Sequence, residues 1–150
     1  MLKKAFFEIT NACNLACTFC HGTKRPIRYV TAEEFTRGAS ELKKVVDYLY
    51  FHVMGEPLLH PELGNFFAIA GDMGFRVILT TNGTLLPKKR EILLSSPALH
   101  KVSVSLHSYE VNRLNITLDD YLTGCFEFCR DASAQGIISV MRLWNSGGED

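Results

Sequence analysis

"FRVILTTNGTLLPKKREILLS" (residues 75–95) contains one complete structural unit. "FRVILTT" (75–81) is a short run rich in β-branched and apolar residues, which predicts a strand. "TTNGTLL" (80–86) carries turn residues. "PKKREILLS" (87–95) opens on Pro, a helix-start residue, and predicts a short helix. "KVSVSL" (101–106) follows as the next strand. A strand, a helix and another strand in that order form a crossover, and crossovers build parallel sheets.

The same alternation extends both ways. "KAFFEIT" (4–10) predicts a strand, and "TAEEFTRGASELKKVVDYL" (31–49) a helix opened by a Thr31/Glu34 capping box. "YLYFHV" (48–53) predicts a second strand, and "PELGNFFAIAGDM" (61–73) a helix stopped by Gly74. "TLDDYLTGCFEFCRDASAQ" (117–135) predicts a helix stopped by Gly136, and "IISVMRL" (137–143) a fifth strand. The order is β-α-β-α-β-α-β-α-β, with strand spacings that suit right-handed βαβ units. Two α/β architectures carry such an order: an open doubly wound sheet, or part of a β/α barrel. Both bind ligands beyond the carboxyl ends of their strands.

Composition narrows the functional class. The 150 residues are 47% hydrophobic, enough for the core of a single domain, and the net charge is zero. Balanced charge gives no general pull toward nucleic acid or an anionic membrane. No apolar run approaches membrane-spanning length, and the start lacks a signal-peptide pattern. The expected location is cytoplasmic, where thiols stay reduced and cysteine clusters mean metal or catalysis.

The segments after the predicted strands hold the chemistry. After strand 1 comes "CNLACTFCHG" (13–22), with three of the five cysteines at the spacing Cys13-x3-Cys17-x2-Cys20. It lies in a loop of roughly twenty residues, and loops that long are usually functional. Strand 2 runs into "MGEPLLHP" (54–61), strand 3 into "TTNGTLL", strand 4 into "SLHS" (105–108) and strand 5 into "RLWN" (142–145). Three thiolates so close can wrap a soft metal centre. A cubane cluster normally takes four, so three leave one iron open for chemistry. A zinc site would need a fourth ligand such as His60 or His107, and three idle thiols are the plainest alternative.

The cysteine spacing, with Phe19 just before the last cysteine, resembles the radical S-adenosylmethionine (radical SAM) enzymes. "MGEP" after strand 2 is similar to that family's Gly-Gly-Glu motif, with Met54 in place of the first Gly, and "TNG" follows strand 3. The resemblance runs over roughly residues 4 to 146. It implies a partial (β/α) barrel of about five β/α units, where six are usual. It implies a [4Fe–4S] cluster on Cys13, Cys17 and Cys20, with SAM chelating the fourth iron. Reductive cleavage of SAM then gives a 5′-deoxyadenosyl radical that takes hydrogen from a substrate. Phe19 would pack near the adenine and cluster. Gly55, Glu56 and Pro57 match the segment that receives the methionine amino group. Ser105 matches a SAM-contacting position, Asn82 the ribose region, and Arg142 would pair with the SAM carboxylate. An electron donor such as flavodoxin or ferredoxin is the implied partner.

Other groups have simpler readings. Cys125 and Cys129, four apart on a predicted helix, fall on its apolar face as core residues. His52 reads as a satisfied core histidine. Lys24, Arg25 and Arg28 form a small basic patch, solvated or facing an anionic partner. Residues 1–150 are expected to form a radical SAM core that is incomplete at its C-terminus. "NSGGED" (145–150) would be a polar tail, and an open barrel edge would favour self-association. The competing functional reading is a non-catalytic Fe–S or zinc binding module.

Overall fold

The computed structural model describes residues 3–144, so "NSGGED" lies outside the described residues. Nine main elements alternate: β1 (Lys4–Phe6), α1 (Ala32–Lys43), β2 (Tyr48–Tyr50), α2 (Leu63–Asp72), β3 (Arg76–Thr81), α3 (Leu86–Leu94), β4 (Leu99–Ser105), α4 (Leu118–Ala134) and β5 (Ile138–Arg142). Short 3₁₀ turns at Pro57–Leu59 and Leu106–Ser108 follow β2 and β4. The five strands form one parallel sheet in the order β1-β2-β3-β4-β5. Strictly sequential order with right-handed crossovers places every helix on the same face. A doubly wound sheet would reverse direction at a switch point, and this one does not. Of the two architectures open to the sequence, the structure adopts the barrel-type winding.

Strand alternation then sorts the side chains. Leu49, Val77, Leu79, Val102 and Val104 are buried against the helices. Phe35 of α1 stacks on Phe66 of α2 with ring centroids 4.6 Å apart and meets Phe51 edge-on. Burying such a ring stabilises the fold by about 1.5–3 kcal/mol. The other, concave face carries Tyr50, Ile78, Thr80, Ser103 and Val140, at the alternate positions of β2 to β5.

Several predicted boundaries shift. The helix expected over 31–49 ends at Lys43, because Leu49 is needed in β2 beside Val77. The capping box is present, with Glu34 N–H donating to Thr31 Oγ1 at 3.2 Å and Thr31 N–H donating to Glu34 Oε2 at 3.0 Å. The strands expected over 4–10 and 48–53 shrink to three residues each. Beyond the Phe6–Tyr50 pair, both chains leave the ladder to build the rim. His52 therefore lies past β2. It is half-buried against the rings of Phe6 and Tyr50, and its Nδ1 has no partner among the described residues, so it is not a satisfied core histidine.

Candidate functional site

The three-cysteine loop lies over the carboxyl ends of the strands and is tied to each following unit. Its start rests on the turn after β2. Gly55 has φ +80, and a Cβ there would stand 2.6 Å from the Thr10 carbonyl oxygen and 2.7 Å from that of Ala12. Only glycine permits this approach. The Glu56 N–H donates to that Ala12 oxygen at 2.7 Å, and the Met54 N–H donates to Glu8 Oε2 at 3.0 Å.

Glu56 is buried at 2% exposure and joins the β2 turn to the end of β3. Its carboxylate accepts from Leu58 N–H (3.0 Å), Thr81 Oγ1–H (2.8 Å) and Asn82 N–H (2.8 Å). These three donors favour the ionised form, but burial outweighs them and pushes the group up to about 7. Pro57 opens the adjoining 3₁₀ turn and is buried.

Asn82 carries the connection upward. Its Nδ2 donates to Asn14 Oδ1 at 2.9 Å, inside the cysteine loop, and its Oδ1 accepts from Thr84 N–H and Thr84 Oγ1–H. Asn14 Nδ2 in turn donates to Thr84 Oγ1 at 2.8 Å. The Asn82 amide is thus spent on fixing the loop. Phe19, between Cys17 and Cys20, packs against His107 (4.9 Å between centroids) and Trp144 (5.1 Å) at the ends of β4 and β5. Ser105 ends β4 half-buried, paired in register with Arg142. Arg142 is exposed, and its charge helps hold His52 below the usual histidine range, after the larger effect of burial.

Cys13 and Cys20 are exposed and Cys17 is half-exposed. All three line one cavity of about 430 Å³ with Met54 and Gly55. Each sulfur accepts one N–H: Cys13 from Leu15 N at 3.5 Å, Cys20 from Gly22 N at 3.4 Å, and Cys17 from Asn112 Nδ2 at 3.1 Å. Among the described residues, no three Cys, His, Asp or Glu side chains converge on a single-ion site. His60, the first candidate fourth ligand for zinc, is buried with both nitrogens used. Nδ1 accepts from Glu62 N–H and Nε2 donates to the Val30 oxygen. His107 gives Nδ1 to the Arg142 oxygen and stacks on Trp144 at 4.5 Å.

The basic patch is largely neutralised. Arg25 pairs with Glu8 at 2.7 Å and Arg28 pairs with Glu34. Asn14, Thr84 and Asn112 escaped the sequence reading, since no motif marks them and their partners lie 68 to 96 residues away. Cys125 and Cys129 are buried in the core of α4, as their spacing predicts.

A parallel partial barrel with a three-thiol loop over its strand ends defines a class of cofactor-binding α/β domain. The sequence pattern of the Radical SAM superfamily matches residues 7–148, and the chain belongs to that superfamily. It is 34% identical over 110 residues to a probable GTP 3′,8-cyclase of Pyrobaculum aerophilum, covering 71% of this chain and 35% of that one. It is 31% identical over 103 residues to an AdoMet-dependent heme synthase of Methanosarcina barkeri, covering 67% and 30%. The chain thus spans about a third of the length of these curated relatives. In fold it is similar to Streptococcus suis SuiB, solved bound to S-adenosylmethionine, with a TM-score of 0.71 at 21% identity over 92% of this chain and 33% of that one. Members of the superfamily use a [4Fe–4S] cluster and SAM.

Proposed function

We propose that this chain is the cluster- and SAM-binding core of a radical SAM enzyme working in the reducing cytoplasm. Cys13, Cys17 and Cys20 would hold three irons of a [4Fe–4S] cluster. The observation that carries this reading is the donor set: three accessible thiols on one rim loop, each facing an N–H, with no fourth Cys, His, Asp or Glu converging on them among the described residues. N–H groups aimed at sulfur suit thiolates. His60 has both nitrogens committed and His107 gives Nδ1 to the Arg142 oxygen, which disfavours a zinc module built on either.

The bound cluster would supply one electron to cleave SAM, giving methionine and a 5′-deoxyadenosyl radical that removes hydrogen from the substrate. The protein's part is to position and shield. Gly55 brings the backbone of the β2 turn close to the cysteine loop, where its carbonyls would be available to the methionine amino group of SAM. Glu56 supports that turn from below, its carboxylate turned to Leu58, Thr81 and Asn82. Direct contact of that carboxylate with the SAM amine would use its remaining lone pairs. Phe19 would cover one side of the adenine, and Ser105 and Arg142 offer a hydroxyl and a guanidinium at the rim. The concave face is the substrate side. Its His52 Nδ1, Thr80 Oγ1 and Ser103 Oγ have no protein partner among the described residues, which suits a polar substrate. A flavodoxin or ferredoxin would deliver the electron at the exposed cysteine loop.

The test is anaerobic. The chain is reconstituted with iron and sulfide, its iron and zinc are counted, and 5′-deoxyadenosine is quantified with SAM and dithionite. About four irons per chain and product that vanishes in Cys17→Ala are expected. Bound zinc without iron, or product unchanged in Cys17→Ala, would sink the proposal.

A further inference from the structure

Two of the three sulfur-facing donors are backbone amides two residues beyond their cysteines, so truncating a side chain does not remove them. The third is a side chain. Asn112 stands in the loop between β4 and α4, 95 residues from Cys17, and its Nδ2 lies 3.1 Å from Cys17 Sγ. The same nitrogen donates to the Ser108 oxygen at 2.7 Å, and Oδ1 accepts from Ala16 N–H at 3.0 Å. These backbone partners fix which end of the amide is nitrogen. Both of its N–H groups are used, and turning it over would face donor to donor and acceptor to acceptor. The loop itself is held there: Tyr109 Oη donates to the Ile116 oxygen at 2.9 Å and closes it.

We infer that Asn112 is a positioning residue that also sets the reduction potential of the metal centre through its N–H···S bond to Cys17. The inference rests on the cluster reading above and deepens it. A donor on a ligating sulfur stabilises the reduced, more negative state and raises the potential. Cys17 is only half-exposed, so water screens this bond incompletely. Of the three sulfur contacts, this is the one that a substitution can remove without rebuilding the cysteine loop.

The experiment is an EPR-monitored redox titration, without SAM, of the iron- and sulfide-reconstituted chain. Wild type is compared with Asn112→Leu and Asn112→Asp. Leu keeps the shape and removes the donor together with the acceptor for Ala16 N–H. Asp keeps the acceptor for Ala16 N–H but sets a charged oxygen against Cys17. At the wild-type midpoint, the reduced-to-oxidised ratio should fall about fivefold in Asn112→Leu, about 40 mV for a one-electron couple. It should fall more than tenfold in Asn112→Asp. Equal midpoints at equal iron content would overturn the inference and leave Asn112 as a tie for the loop. Should one variant fail to take up iron, the other decides alone. Loss of iron from both also overturns it, because a tuning contact does not hold the metal. Wild type that binds no iron overturns the cluster reading itself, a result distinct from equal midpoints.

Discussion

The five cysteines fall into two sets that the fold treats in opposite ways. Cys13, Cys17 and Cys20 sit on a loop, two exposed and Cys17 half-exposed, each sulfur met by an N–H donor. Cys125 and Cys129 sit one helical turn apart on α4, buried in the core, with the Cys125 sulfur against Gly83. Burial pushes the Cys125 thiol up to about 11, and Cys129 is raised for the same reason. Burial raises the Cys13 thiol as well, with the Leu15 N–H opposing it, so what separates the sets is surface access and a facing N–H donor. Element and exposure, rather than residue type, divide the five cysteines.

The buried set gives the largest expected effect on stability. Gly83, φ +82, lies against α4, and a Cβ there would stand 2.8 Å from Cys125 Sγ and 3.0 Å from Val104 Cγ1. Strain at the left-handed position plus overpacking should make Gly83→Ala less stable by about 2–4 kcal/mol. Urea denaturation checks this. A loss under about 1 kcal/mol would show that α4 gives way easily and that the buried pair is less tightly held than the packing indicates.

Glu56 stands between the two sets and links them to pH. Its folded value of about 7 lies above the ordinary 4.5, so the folded chain holds the proton more tightly than the unfolded chain. The stability this contributes is fully present below about pH 4.5 and is lost as pH rises through 7. The whole swing is about 3 kcal/mol. Glu56→Gln should remove that slope from denaturation of the metal-free chain between pH 5 and 8, whatever it does to absolute stability. An unchanged slope would mean that the three donors keep the carboxylate ionised throughout.

The smallest effect is the sharpest separation. Cys125→Ala should cost about 1–2 kcal/mol through lost packing and leave reconstituted iron per chain unchanged. A drop in iron would break the division between the sets.

Much of this was legible in residue order. Repeated strand and helix signals carried the parallel α/β class, and Cys13-x3-Cys17-x2-Cys20 marked the rim loop that holds three accessible thiols, because local spacing encodes both. The strictly sequential strand order was not local, and it took the pairing of β1 with β2 through β4 with β5 to show it. His52 misled because a strand-like run of aromatics continues past the point where the ladder stops. Asn82 was singled out by the resemblance carried in "TNG", but its bond to Asn14 spans 68 residues. Asn112 lies in "YEVNRLN" (109–115), where nothing local distinguishes it from a surface loop residue.

Those long spans have a consequence for how the molecule assembles. The cysteine loop is synthesised before the segments that tie it down. Its ties reach forward 68 residues to Asn82, 70 to Thr84 and 95 to Asn112. Such contacts close only after the intervening β/α units have formed, since loop-closure entropy delays non-local pairing. The loop emerges before its partners and is organised after them. Its final geometry therefore waits on the arrival of the β4–α4 segment.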